Sequence, residues 1–174
     1  NSYNLKLFAK KKKLLFHETH DINSKKTYNF LRSIKPDIIF SSWPKVIKNK
    51  VIKLSKFGMI GSHPTDLPLN RGRHPLHWLI CMGNKSSALT FYMMDKKIDN
   101  GAVIKKIKFK ISKFDNIKNL ENKIGKLAEK ACTLQDEHDI LITKKNFKII
   151  LSEIGNLAST KKYLNKNIFK KYKS

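Results

Sequence analysis

Two spacings of apolar residues alternate along this chain of 174 residues. Tyr28, Leu31 and Ile34 recur at helical spacing, which places them on one face of a helix. Short apolar runs bounded by Gly, Pro, Asn or Ser lie between such segments and are typical of buried strands. We predict helices at residues 24–34, 45–55, 75–83 and 116–141, and strands at 14–16, 37–40, 58–61, 88–94, 102–111 and 147–151. This alternation predicts an α/β fold with a mostly parallel sheet flanked by helices, finished by antiparallel pairing at 88–111.

The pattern divides the chain near residue 142. We expect residues 1–142 to form one catalytic domain, and residues 143–174 to contain a strand and a lysine-rich tail. The tail has little apolar surface to bury, so part of it is predicted to be disordered. Because the first residue is Asn rather than Met, we expect the domain to lack its natural N-terminal portion.

The formal net charge is +24, and 37 residues are Lys or Arg. One hypothesis is a polyanionic partner such as a nucleic acid, since so basic a chain attracts anions. The other is compositional bias: the basic residues include only three arginines, although arginine is the usual ligand of phosphate groups. The lysines are spread along the chain rather than gathered in one stripe, which favours bias.

Cysteine content and hydropathy bear on the cellular compartment. Cys81 and Cys132 provide neither a disulfide framework nor a metal-binding spacing. No apolar run approaches the 18 residues of a transmembrane helix, and the first residues lack the apolar segment of a signal peptide. We therefore expect a cytoplasmic protein without a membrane partner; the sequence leaves its oligomeric state open.

The strongest candidate for chemistry is His63, which ends an apolar run and begins a proline-bounded loop. A fixed imidazole can donate a hydrogen bond to a developing oxyanion or transfer a proton near neutral pH. Asp99 follows 36 positions later in an Asp-Asn-Gly turn and would orient the imidazole and stabilise its protonated form. Both could instead be structural, since Asp is a good turn former. Asp95 is a weaker candidate, and we expect Asp66 to make local backbone hydrogen bonds.

Arg71, Arg73 and His74 come just before the helix predicted to begin at Pro75. Two arginines beside a helix N-terminus could bind a phosphate group, although a solvated basic turn or internal ion pairs fit the sequence equally well. His74 and His77 have no carboxylate or Cys to complete a metal set, so we expect no metal. Trp43 and Pro44 follow a strand and could pack against a flat aromatic ligand, but core packing explains Trp43 equally well.

These residues together resemble the folate-dependent formyltransferases, a family that includes methionyl-tRNA formyltransferase, glycinamide ribonucleotide formyltransferase and the sugar-nucleotide N-formyltransferases. The family pattern has Asn-x-His, then Pro-Ser-x-Leu-Pro, then Arg-Gly, and later Asp-x-Gly. Residues 63–68 (His-Pro-Thr-Asp-Leu-Pro) match the histidine loop, with Thr65 in place of Ser, and residues 99–101 (Asp-Asn-Gly) match the aspartate loop. The resemblance covers about residues 20–112.

The resemblance implies a Rossmann-like fold that transfers a formyl group from 10-formyltetrahydrofolate to a primary amine. It implies that His63 and Asp99 are catalytic, and it adds two sets of binding residues. The substrate-binding set is Thr65, Arg71, Arg73 and His74. The cofactor-binding set, which would contact the pterin, is Phe40, Trp43, Pro44 and Val46.

The acceptor branch is indicated by residues 71–78 (Arg-Gly-Arg-His-Pro-Leu-His-Trp), which look most like the sugar-nucleotide enzymes. An amino sugar on a nucleotide is therefore the expected acceptor, with tRNA as the alternative because of the charge. One departure stands out: the Asn expected two residues before the histidine is Gly61. Ser62, Asn70, Asn100 or a water molecule would have to replace it; otherwise the domain binds folate or a nucleotide without catalysis.

Overall fold

The computed structural model describes residues 5–133. In that range the helices are α1 (Leu5–Lys11), α2 (Lys25–Ile34), α3 (Asn49–Ile52), α4 (Pro75–Cys81) and α5 (Ile117–Thr133). The strands are β1 (Ile39–Ser41), β2 (Met59–His63), β3 (Ser86–Met93) and β4 (Val103–Lys110). The predicted strand at 147–151 and the lysine-rich tail lie outside the described residues.

The four strands form one sheet in the order β1-β2-β3-β4. The α/β class is confirmed, and the sheet is mixed: β1 and β2 are parallel, whereas β2–β3 and β3–β4 are antiparallel. The described part is thus less parallel than the sequence suggested. β1 and β2 are joined through α3, and β3 and β4 form a hairpin, which can only be antiparallel.

Local capping signals place α2 and α4 correctly. The side chain of Ser24 accepts a hydrogen bond from the backbone N–H of Thr27, and Lys35 ends α2 in the left-handed conformation. Pro75 is the first residue of α4, where its missing N–H costs nothing. The helix predicted at 45–55 shrinks to the single turn of α3, because the Asn23 carboxamide bonds to backbone groups of Val46 and Lys48 and holds that segment extended.

The beginning of the chain differs from the prediction. Residues 5–11, which fitted no single pattern, form α1, and the strand predicted at 14–16 is wrong. Lys13 adopts a left-handed conformation, and the N–H of Leu14 returns to the carbonyl of Ala9. The chain therefore turns back at the end of α1 instead of entering the sheet.

Apolar side chains pack into two clusters that hold the sheet between helices. The first joins α2 and α3 to β1 and β2, and its buried members are Ile22, Leu31, Ile39, Ile47, Val51, Ile52 and Met59. The second joins α4 and α5 to β4 through Leu79, Phe109 and Leu120. Each buried aliphatic side chain contributes roughly 1.5–3 kcal/mol. This packing makes β2, which ends at His63, part of a rigid support.

Within residues 5–133, no helix combines the length and the apolar character needed to cross a membrane.

Candidate active site

A tightly bonded loop follows β2 and fixes the surroundings of His63. The Thr65 side chain is fully buried, and its hydroxyl donates to the carbonyl of Leu69 at 2.8 Å. Thr90 of β3 connects the loop to the sheet, because its hydroxyl donates to the Thr65 carbonyl at 2.6 Å and accepts from the N–H of Leu67 at 3.3 Å. These bonds leave the loop little freedom and set the position of Asn70 at its end.

The imidazole of His63 is 6% exposed and contacts polar groups on both sides. Nε2 lies 3.0 Å from the carbonyl oxygen of Asn70. A carbonyl can only accept, so Nε2 carries the proton in this contact. Nδ1 lies 3.6 Å from Oδ2 of Asp99, which is close enough for electrostatic contact and too long for a direct hydrogen bond. In the neutral ring, Nδ1 therefore carries the lone pair that can accept a proton, and it faces the Asp99 carboxylate.

Asp99 is held by three groups from two segments, β3 and the loop that precedes α4. Its Oδ1 accepts from the hydroxyl of Tyr92 at 2.6 Å, and its Oδ2 accepts from the backbone N–H of Gly72 at 3.0 Å. Its main-chain carbonyl accepts from Nε of Arg71 at 2.8 Å. Asp99 also has a positive φ of 48°, a conformation that Asp tolerates better than most residues. The carboxylate is thus fixed in place while its side chain remains 14% exposed.

The His63–Asp99 arrangement can accept and return a proton. Protonation of Nδ1 gives the imidazolium a carboxylate on one side and a carbonyl on the other, both of which stabilise positive charge. The sheet and the loop exclude bulk water from most of the ring, which strengthens these interactions. The pair therefore suits general acid–base chemistry on a group that reaches Nδ1 from the exposed side of Asp99.

The predicted substrate-binding residues divide into two groups. Thr65 is sealed inside the loop and its hydroxyl is already bonded, so its placement argues against substrate contact. Arg71 donates from Nε to the main-chain carbonyl of Asp99, which differs from the ion pair with a carboxylate that its sequence allowed. Arg73 and His74 are exposed beside Gly72, and the His74 ring packs edge-to-face on His77 at 5.6 Å. Arg71, Arg73 and His74 are the members of this set that a ligand can reach, since all three are exposed.

Two further carboxylates near the loop make local or structural contacts. Asp66 was expected to bond to the backbone, but its side chain pairs with Nζ of Lys106 at 2.6 Å. Asp95 accepts from the N–H of Lys97 at 2.8 Å and so caps its own turn.

Of the predicted cofactor-binding residues, Phe40 lies in β1 and the others follow it, at the same end of the parallel β1–β2 pair as His63. Phe40 is partly exposed and packs against Phe91 with a ring separation of 6.0 Å. Trp43 is half-buried against the first core cluster, whereas Pro44 and Val46 are exposed, Val46 by 63%. The segment thus offers an apolar surface beside the carboxyl ends of two strands, where ligands of open α/β sheets bind.

Sequence reasoning missed Tyr92 as a site residue. Its side chain is buried, and that burial together with the hydrogen bond to Asp99 raises the pKa of the phenol above its ordinary value. The sequence signal was a phenol in a mostly apolar strand, and Tyr92 becomes informative once the register places it opposite Gly61.

Among the described residues, no group of three or more His, Cys, Asp or Glu side chains is arranged to bind a metal ion.

The structure is an α/β fold with a histidine–carboxylate pair, His63 and Asp99, at the carboxyl end of β2. Comparison with known proteins identifies its family, because residues 3–135 match the family described as formyl transferase. The chain therefore belongs to the formyltransferase family.

Curated relatives agree with this assignment. The bifunctional polymyxin resistance protein ArnA of Wigglesworthia glossinidia brevipalpis is 36% identical over 120 residues, which cover 66% of this chain and 18% of the relative. The methionyl-tRNA formyltransferase of Thermotoga maritima is 30% identical over 126 residues, covering 72% of this chain and 40% of the relative. This chain thus spans less than half the length of either relative.

Solved structures share the fold. Phosphoribosylglycinamide formyltransferase from Streptococcus pneumoniae TIGR4 superimposes with a TM-score of 0.61 at 20% identity, over 71% of this chain and 73% of the other. A formyltetrahydrofolate deformylase from Pseudomonas syringae pv. tomato gives a TM-score of 0.58 at 17% identity, over 67% and 41% of the two chains. The mixed sheet and its flanking helices are therefore those of the formyltransferase fold.

Proposed function

We propose that this chain transfers a formyl group from 10-formyltetrahydrofolate to a primary amine, namely the amine of a nucleotide-linked amino sugar. One observation carries the proposal: Nδ1 of His63 faces Oδ2 of Asp99 at 3.6 Å, at the carboxyl end of β2. An amine that attacks a formyl carbon must lose a proton, and the folate nitrogen that departs must gain one. This pair can move that proton.

The proton path follows from the hydrogen bonds of His63. Nε2 is committed to the Asn70 carbonyl, so Nδ1 is the nitrogen that accepts the amine proton. Asp99 stabilises the imidazolium that results and orients the ring through its own three contacts. The protonated Nδ1 then donates to the leaving nitrogen, which returns the imidazole to its starting form.

The folate would lie along Phe40 of β1 and the exposed apolar segment that follows the strand. Phe40, Pro44 and Val46 present apolar surface there, and Trp43 supports it from the core side. Stacking against such side chains favours a flat ring, and the nearby end of β2 gives access to His63. 10-Formyltetrahydrofolate supplies the formyl group, and the residues of this chain bind, orient and move the proton.

Arg73 and His74 are the proposed contacts for the phosphates of the acceptor. Both side chains are exposed, and they directly follow Gly72, whose N–H bonds to Asp99. A phosphate held there would lie near the His63–Asp99 pair, which suits an amine attached to a nucleotide. The local sequence 71–78 supports this branch of the family.

An assay with 10-formyltetrahydrofolate and a panel of amines tests the proposal. The panel contains nucleotide-linked amino sugars, the same free amino sugars and methionyl-tRNA. We expect turnover only with a nucleotide-linked amino sugar, and its loss in His63→Ala. His20→Ala is the matched control, because His20 is an exposed histidine outside the site. Calorimetric binding of the folate without turnover of any amine would point instead to a non-catalytic binding domain.

A tRNA acceptor is the second candidate, favoured by the net charge of +24 and by the similarity to methionyl-tRNA formyltransferases. Binding that depends on many phosphate contacts weakens steeply as salt rises. Turnover of methionyl-tRNA, accompanied by binding with such a salt slope, would establish this function and exclude the amino-sugar assignment. Absence of tRNA binding at physiological salt would remove it.

A further inference from the structure

The side chain of Tyr92 in β3 fills the space that a side chain on residue 61 of β2 would need, and residue 61 is glycine. The two residues are direct partners in the antiparallel ladder, and the Tyr92 ring lies over the Cα atom of Gly61. A Cβ atom on residue 61 would be 2.9 Å from Cζ and 3.0 Å from Oη of Tyr92, with Cγ of Met94 also at 3.0 Å. The 2.9 Å contact is one that Cβ atoms essentially never make, and the 3.0 Å contacts are tighter than nine in ten, so a Cβ atom here would force the ring to shift.

The position over Gly61 directs the Tyr92 hydroxyl at the site. Its proton goes to Oδ1 of Asp99 at 2.6 Å, which satisfies a buried hydroxyl and one of the two carboxylate oxygens. Oδ2 is left for the N–H of Gly72 and for His63. Burial and the nearby Asp99 raise the pKa of Tyr92, so the phenol remains a donor throughout the pH range of interest.

We propose that Tyr92 is a positioning residue of this active site, and that Gly61 is the residue that makes room for it. Seated over Gly61, Tyr92 holds the Asp99 carboxylate so that Oδ2 faces Nδ1 of His63. Gly61, which stands where the family pattern has Asn, therefore allows a different arrangement of the site, in which Tyr92 positions Asp99. This inference rests on the proposed function, since it assigns the residue that orients its acid–base pair.

Loss of the Tyr92 hydroxyl should affect turnover without affecting the binding of folate or acceptor. Tyr92 is buried and belongs to neither proposed set of ligand-binding residues. Without its hydroxyl, the N–H of Gly72 remains as the neutral donor to the Asp99 carboxylate, and the side chain gains rotational freedom. The distance to Nδ1 of His63 then varies, which slows proton transfer. We expect kcat to fall while the KM values for folate and acceptor stay unchanged.

The test is a double-mutant cycle with Tyr92→Phe and Gly61→Ala. Each single variant should lower kcat about tenfold, as expected for one hydrogen bond to a charged group. The double variant should be no slower than the slower single variant, because both changes break the same contact. Tyr28→Phe and Gly83→Ala are matched controls outside the site, and both should keep wild-type kcat. Wild-type kcat in Tyr92→Phe, or independent effects that multiply in the double variant, would overturn the positioning role.

A spectroscopic titration gives a readout that needs no turnover. Tyrosine ionisation, followed by ultraviolet absorbance, should begin at lower pH in Gly61→Ala than in the wild type, because the intruding methyl group moves the phenol off Asp99. An unchanged titration in a folded Gly61→Ala protein would overturn the inference that Tyr92 fills the space beside residue 61. Wild-type protein without transfer to any acceptor would overturn the proposed function itself, a result distinct from normal turnover in Tyr92→Phe.

Discussion

Nδ1 of His63 lies 3.6 Å from Oδ2 of Asp99, although 36 positions separate the two residues. β2 delivers the histidine, and the turn after β3 delivers the aspartate. Neither side chain is free to drift: the Asn70 carbonyl holds the imidazole, and donors from Tyr92 and Gly72 hold the carboxylate. The distance leaves room for small adjustments when a ligand binds.

Asp99→Asn should lower kcat by about 100-fold or more, the usual contribution of acid–base catalysis. The amide keeps the shape of the carboxylate but cannot stabilise a protonated Nδ1 of His63. Rapid-mixing measurement of formyl transfer with saturating substrates isolates this step from binding. Asp95→Asn is the matched control, because Asp95 caps its own turn and should be dispensable. A wild-type rate in Asp99→Asn would remove the carboxylate from the mechanism.

Thr65→Val should lower the free energy of unfolding by about 0.5–1.5 kcal/mol, because the substitution preserves shape while removing the hydrogen bond from the buried Thr65 hydroxyl to the Leu69 carbonyl. Urea unfolding followed by circular dichroism measures the change. Ser33→Ala removes an exposed hydroxyl that also donates to a carbonyl, and it should cost less than about 0.5 kcal/mol. Equal losses in both variants would show that the Thr65 hydroxyl is not a special support of the loop.

The sequence predicted elements whose signals are local. Ser24 and Pro75 mark the beginnings of α2 and α4 within a few residues of the groups they serve. The length of α3 was not predictable in the same way, because Asn23 bonds to the backbone of Lys48 across 25 positions. Helical periodicity is assessed over short stretches of sequence, which cannot include such a long-range contact. The contact overrides the helical propensity of residues 45–48.

The residues of the candidate site also differ in whether local sequence could predict them. His63 and Asp99 stood out because each lies at the end of an apolar run beside turn residues. Tyr92 did not, since its role depends on a strand register that pairs it with Gly61 and on a turn that returns Asp99 to its hydroxyl. Thr65 was predicted to bind substrate from the family resemblance alone. Its complete burial depends on the folded structure and could not be predicted from the sequence.

Gly101→Ala should be strongly destabilising, by at least about 2 kcal/mol, since overpacking forces the backbone to move. A Cβ atom there would lie 1.5 Å from the carbonyl oxygen of Met93, a contact that no rotamer can relieve. The same movement would shift Asp99, so activity should fall with stability. Gly83→Ala is the control: its Cβ meets nothing within 4 Å, and only its positive φ of 64° is strained. Comparable unfolding curves for the two variants would contradict the predicted close approach.

The stabilising contribution of Tyr92 should be lost at alkaline pH. Its pKa is raised in the folded state by burial and by the hydrogen bond to Asp99, so the folded protein retains a proton that the unfolded chain releases. The stabilisation is complete below the ordinary tyrosine pKa of about 10 and is lost as pH rises above it. Lysine deprotonation affects wild type and Tyr92→Phe alike, so the difference between their unfolding free energies isolates Tyr92. That difference should shrink as pH rises above about 10; a constant difference would contradict a protonated phenol held against Asp99.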